Sequence, residues 1–222
     1  MSGRSPLISG TPADASMRHP TDRLHREIHW RRLDHPARET AVLEQTADGW
    51  VLRGIVSGVD TEGHAYQLRY AIDCAQDWAT RAATVEGDVS GTALRITVAR
   101  DPRTGVWTRD GVPQPQVDGC LDVDLGFSPS TNTLPIRRLG LRPGGAAPVR
   151  AAWLRFPGFE LVPLEQEYRC ENERRYVYQS AGGRFRAVLD VDDAGLVRRY
   201  GDYWMAETAE GAPTPSAPRP NQ

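Results

Sequence analysis

The sequence predicts an all-β protein built on a single antiparallel, strongly curved sheet, closed into a barrel or left as a half-barrel. Short runs of alternating polar and apolar residues recur along the chain, Gly, Pro, Asn and Asp clusters separate them, and no βαβ alternation interrupts them. The 17 Pro and 21 Gly among 222 residues fit many turns and few long helices. A sheet of roughly a dozen strands has to curl, because open twisted sheets beyond about ten strands close or split. Curling encloses a space. The 6 Trp, 7 Tyr and 4 Phe suffice to fill it, so a packed core and a ligand cavity both stay open.

Residues 1–22 are rich in Ser, Gly, Pro, Thr and Ala without periodicity and read as a disordered leader. Residues 208–222, rich in Pro and Ala, read as a disordered tail, which leaves 23–207 as one β domain. Within it, Glu27 to Leu33 is extended and ends at an Asp34-His35-Pro36 turn. Thr40 to Thr46 and Trp50 to Val59 form a hairpin about Asp48-Gly49, with Gly54 and Gly58 marking a bulge, a bend or a close approach by other backbone. From His64 to Cys74, Tyr66, Leu68, Tyr70, Ile72 and Cys74 face one way, and Gln67, Arg69 and Asp73 the other. Leu94, Ile96 and Val98 alternate again, and Val149 to Phe156 is a further strand. Leu161 to Glu171 puts Leu164, Gln166, Tyr168 and Cys170 on a common face. Tyr176, Tyr178 and Ser180 face Phe185, Ala187 and Leu189 across Gly182-Gly183, and Leu196 to Tyr200 and Tyr203-Trp204 complete the set.

Charge excludes several partners. The 27 basic residues, every one an Arg, nearly cancel the 29 acidic ones, so the net charge of −2 offers no field for nucleic acid or an acidic membrane surface. Cys74, Cys120 and Cys170 are far apart and form no CxxC, which argues against a zinc knuckle or a secreted disulfide framework. With neither a signal peptide nor a run approaching the roughly 20 apolar residues of a membrane span, a cytoplasmic location is expected. His19, His25, His29 and His35 match no zinc template, no Gly-x-Ser-x-Gly marks a nucleophile, and Gly140 to Gly145 lacks the Lys of a phosphate loop. No metal and no cofactor are expected.

Chemistry is densest between Cys120 and Leu141. As a strand, Leu121, Val123 and Leu125 take one face, and Asp122 and Asp124 share the other. A proline-punctuated turn through Ser128-Pro129-Ser130-Thr131-Asn132 then leads by Leu134-Pro135-Ile136 to Arg137 and Arg138. The two carboxylates suit acid/base work or a hard metal, or else they anchor Arg137, Arg138 or Arg81 as structural ion pairs. Gln166, Tyr168 and Tyr178 offer polar tips on apolar bodies, which suits a head group with an attached apolar chain and equally ordinary cross-strand pairing.

These residues resemble the bacterial glycolipid-binding family once catalogued as a domain of unknown function. The resemblance spans Trp30 to Trp204 and rests on Gly49-Trp50, Asp77-Trp78-x-Thr-Arg81, Gly119-Cys-x-Asp122-Val-Asp124-Leu and the string from Pro129 to Arg137-Arg138-Leu. Trp153, Phe156-Pro157, Gln166-x-Tyr168, Tyr176-x-Tyr178 and Asp192-x-x-Gly195 continue it, while Ser128 and Ser130 depart from it. It implies a curved sheet similar in shape to lipoprotein-localisation factors, and a soluble, non-catalytic binder of an amphipathic glycolipid or lipid-like molecule. Asp122, Asp124, Thr131, Asn132, Arg137, Arg138, Gln166, Tyr168 and Tyr178 are the candidate ligand-binding residues. An enzyme acting on a sugar or lipid conjugate through Asp122 or Asp124, and a solid-cored interaction domain, are the alternatives; an enclosed polar-lined cavity touching Asp122 would favour the enzyme, an apolar one the binder, and no cavity the interaction domain.

Overall fold

The computed structural model describes residues 24–207, so the expected leader and tail lie outside the described residues. Eight strands come first: β1 (His25–Arg32), β2 (Ala37–Gln45), β3 (Gly49–Val59), β4 (Ala65–Ala75), β5 (Thr80–Val89), β6 (Thr92–Arg100), β7 (Trp107–Arg109) and β8 (Val112–Pro113). A connection then leads to β9 (Asp122–Leu125), a 3-10 turn at Ser130–Asn132 and the helix α1 (Thr133–Leu139). The chain returns as β10 (Ala146–Arg155), β11 (Glu160–Asn172), β12 (Arg175–Ser180), β13 (Phe185–Val191), β14 (Val197–Tyr200) and β15 (Trp204–Ala206).

All fifteen strands form one sheet, ordered β8 down to β1 and then β15 down to β9. Two meanders are thus joined where β1 pairs antiparallel with β15, Trp30 opposite Ala206 and Arg32 opposite Trp204. The ends of the described chain meet in the middle of the sheet, and its middle supplies both edges. The sheet curls without closing, and the gap between its edges is bridged near β9. There the Thr80 N–H donates to the Leu121 carbonyl at 2.8 Å and the Val123 N–H to Thr80 Oγ1 at 3.1 Å.

Period-two patterning is followed closely. Tyr66, Leu68, Tyr70, Ile72 and Cys74 are all buried on one face of β4, and in the β12–β13 hairpin Tyr176 pairs with Leu189, Tyr178 with Ala187 and Ser180 with Phe185. Two expectations need correction. The sheet is mixed, because β9 runs parallel to β10 with Asp122 beside Ala151 and Leu125 beside Leu154. A parallel pair requires a crossover connection, and residues 126–145 supply it. The segment read as a turn into Arg137 and Arg138 is the crossover's 3-10 turn followed by α1. Pro135 sits in the first helical turn, where its missing N–H leaves no hydrogen bond unmade. Gly140 ends the helix in the left-handed region at φ 52°, its N–H bonded to the Ile136 carbonyl.

The crossover largely fills the space enclosed by the sheet. Leu134 packs in the larger apolar cluster with Trp30, Leu52, Leu125 and Leu154, while Ile136 packs in a second cluster with Tyr168, Tyr178 and Leu189. Room for one large interior ring comes from small neighbours. Ala41, Gly54 and Tyr70 stand side by side across β2, β3 and β4, and a Cβ at Gly54 would lie 2.6 Å from the Tyr70 phenol oxygen. Gly54→Ala is therefore expected to displace that ring and lower stability by about 1–3 kcal/mol, the usual cost of overpacking, read as a shift in urea midpoint at unchanged slope. No helix among the described residues is long and apolar enough to cross a membrane.

Candidate functional site

Asp124 and Trp153 are neighbours in the parallel register of β9 and β10, so their side chains leave the same face of the sheet. They open onto a cavity of about 380 Å³. Tyr178 of β12, Tyr200 of β14, and Tyr203 and Trp204 around the start of β15 line its apolar side, together with Phe185. Ser128 and Asn132 of the crossover add polar atoms, and Arg32 is the cation of the lining. The rings brace one another: Tyr178 lies 5.9 Å from both Phe185 and Tyr200, and Phe185 lies 5.4 Å from Tyr203. These separations suit the edge-on and tilted contacts that aromatic pairs prefer.

Asp124 is half-buried, and Gln166 Nε2 donates to its Oδ2 at 2.6 Å. Burial pushes the carboxyl up to about 6, opposed by the Gln166 hydrogen bond and reinforced by the nearby charge of Asp122. Tyr168 donates to Asn132 Oδ1 at 2.9 Å, and Asn132 Nδ2 donates to the Pro129 carbonyl at 3.1 Å. Burial holds the Tyr178 and Tyr200 phenols well above their ordinary range, with the charge of Asp124 adding to the effect, so both rings stay neutral. Arg32 is bound through Nε to Asp34 at 2.7 Å, and its guanidinium lies 5.3 Å from the Trp204 ring centre.

The nine residues singled out by sequence divide into three groups. Asp124, Asn132 and Tyr178 line the cavity, and Gln166 and Tyr168 hold the first two in place. The remaining four do not line it and make contacts elsewhere in the fold. Asp122, 1% exposed, is gripped by Arg138 through two parallel bonds, Nε to Oδ1 at 2.9 Å and Nη2 to Oδ2 at 2.6 Å. Burial works against the Arg138 cation, and the Asp122 carboxylate more than offsets it. Arg137 lies 5.2 Å over Trp78, which is itself stacked on Trp50 at 4.2 Å. Thr131 Oγ1 accepts the Leu125 N–H at 3.4 Å.

One acidic group escaped the sequence reading. Glu39 of β2, 2% exposed, points into the core between Ala37 and Ala41. Its Oε1 accepts hydrogen bonds from Tyr70 and from Ser128 Oγ at 2.6 Å, and Oε2 has no partner. Burial pushes its carboxyl up to about 7 against those two donors. The signal was its place in the inward-facing set with Ala37, Ala41 and Leu43.

Among the described residues no group of three or more His, Cys, Asp and Glu side chains is placed to hold a metal. Cys74, Cys120 and Cys170 are buried free thiols. His25 and His35 face Glu44 and Asp34 respectively, and His29 bonds Thr40; His19 lies outside the described residues.

Residues 27–206 match the model of a family described as "Putative glycolipid-binding". The crystal structure of a DUF1089 family protein from Pseudomonas aeruginosa is 31% identical, with a TM-score of 0.64 over 89% of this chain and 96% of that one. No curated protein matches the chain significantly.

Proposed function

This chain belongs to the Putative glycolipid-binding family, and from that premise we propose that it is a soluble, cytoplasmic, non-catalytic binder of an amphipathic small molecule whose head group enters the Asp124 cavity. The supporting observation is the lining itself: six aromatic rings around a single half-buried carboxylate, in a space of about 380 Å³. Small-molecule sites run from about 300 to 1,000 Å³ and are mostly apolar with a few placed polar groups. This one lies at the small end. It suits a head group and the first part of a chain, with the rest of the ligand leaving through the mouth. Asp124, Asn132 and Tyr178 contact the ligand in this reading, while Gln166 and Tyr168 position them. The buried, unpaired cysteines agree with a reducing compartment.

A second reading has one observation in its favour. Asp124 titrates near 6, and Glu39, near 7, reaches Ser128 on the cavity wall; a raised carboxyl beside a ligand is what general acid catalysis requires. Asp122 has no part in it, being engaged by Arg138.

Native mass spectrometry of the freshly purified chain, followed by extraction, is expected to show a bound amphiphile. A ligand at 100 times its Kd adds about 2.7 kcal/mol of stability, so the extracted compound should raise the melting temperature. Leu164→Trp, which fills the cavity from β11, is expected to abolish that rise. The binder reading fails if no adduct is present and no lipid or glycolipid in a broad panel shifts the melt. Turnover of the extracted compound that is lost in Asp124→Asn would favour the enzyme.

A further inference from the structure

We propose that the head group taken by this cavity carries a positive charge, an ammonium seated against Asp124 among the rings of Tyr178, Tyr200 and Tyr203. The inference rests on the binding role proposed above and names the chemistry of its ligand. It follows from which polar groups of the cavity are still available. Asn132 is used on both sides, its Nδ2 by the Pro129 carbonyl and its Oδ1 by Tyr168. Gln166 gives its Nε2 to Asp124. Ser128 Oγ is engaged by Glu39 and Ser130 at 2.6 and 2.7 Å. The amide and hydroxyl groups of Asn132, Gln166 and Ser128 thus each already make a hydrogen bond within the protein, and the phenols, the indole N–H groups and Arg32 are the donors left to a neutral sugar ring.

Asp124 is the exception. An ionised carboxylate has about four acceptor positions, and Gln166 fills one. No cation fills another, since Arg138 is committed to Asp122 and Arg32 to Asp34. What distinguishes the cavity is an uncompensated anion set among aromatic faces. Those are the two elements that recognise an ammonium, the carboxylate by charge and the ring faces by their quadrupoles. Neutral phenols add no charge to the walls, and the cation of the lining, Arg32, is paired with Asp34. An amino sugar and a choline-type head share this chemistry.

Three octyl glycosides test it on the full chain, followed by calorimetry or by the fluorescence of Trp153 and Trp204: the 2-amino-2-deoxyglucoside, its N-acetyl derivative and the plain glucoside. Hexyltrimethylammonium serves as a fourth probe. At pH 7.5 the amino glycoside is expected to bind at least tenfold more tightly than the other two glycosides. Tight binding of hexyltrimethylammonium as well would assign a general ammonium site, and its failure beside a bound amino glycoside would assign an amino sugar. Asp124→Asn should erase the tenfold preference, the amino glycoside then binding no more tightly than the plain glucoside on the same variant. The ligand comparison needs no variant, so it decides even if Asp124→Asn folds poorly. Equal binding of all three glycosides, blocked by Leu164→Trp, would overturn the charge inference and leave the binding role standing. Binding of no probe would count against both.

Discussion

Asp122→Asn is expected to lower the stability of the fold by about 3 kcal/mol, the lower end of the range for breaking a buried ion pair. The pair joins β9 to α1 across sixteen residues of crossover, with one carboxylate fully enclosed and a guanidinium that keeps 17% of its side chain exposed. Removing the carboxylate leaves Arg138 charged with a neutral partner in a site where burial already opposes it. Arg138→Ala should cost a similar amount, because it strands Asp122. Desolvation raises the Asp122 carboxyl even with Arg138 present, so the stranded group can take a proton, and the loss should shrink in acid. In the double variant neither charge is stranded, and a coupling of at least about 1 kcal/mol is expected. Urea melts of the four proteins measure it through midpoints at a common slope. Strict additivity, or single losses below about 0.5 kcal/mol, would remove the structural role.

Sequence showed the strands and hid what lies inside them. On β4 and on the β12–β13 hairpin the side-chain period of two decides which residues turn inward, and nothing distant is needed to read it. Helix α1 offered no such signal. Seven residues cannot display a period of 3.6, and Leu134-Pro135-Ile136 carries a proline, which reads as a turn, and a β-branched residue, which lowers helix propensity. Its helicity rests on Leu134 and Ile136 in the two core clusters and on the Arg138 clasp. Asp122 and Asp124 illustrate the same division within one strand. Spacing correctly placed them on a common face, yet Arg138 approaches one and Gln166 the other. Each partner comes from a different element, so local pattern could not separate an ion pair from a cavity floor. Trp153, Tyr200 and Trp204 were legible only as strand residues. What gathers them is the β1–β15 closure, which brings the last strands of the domain beside the first and bends the sheet around the crossover.

Between pH 4.5 and about 7 the protein is expected to lose stability as pH rises, by up to about 3 kcal/mol from Glu39 alone. The carboxyl moves from an ordinary value of 4.5 to about 7 on folding, and each unit is worth about 1.4 kcal/mol. The sign follows from proton counting. In this window the folded state holds a proton that the unfolded state has released, so stability falls with pH. The Glu39 contribution is complete below 4.5 and is gone once pH has passed the folded value. Asp124, also raised, adds a slope of the same sign, whereas Asp34, held low by Arg32 despite partial burial, acts oppositely and in stronger acid. Glu39→Gln isolates the effect. Its amide oxygen can still accept from Tyr70 and Ser128, and its amide nitrogen replaces the oxygen that has no partner. The variant should be the more stable protein at pH 8, and its advantage should fade as pH is lowered to 4.5. Urea midpoints of both proteins across that range provide the difference curve. Parallel curves would mean that Glu39 is ionised in the folded protein, with Tyr70 and Ser128 alone compensating a charge sealed from water.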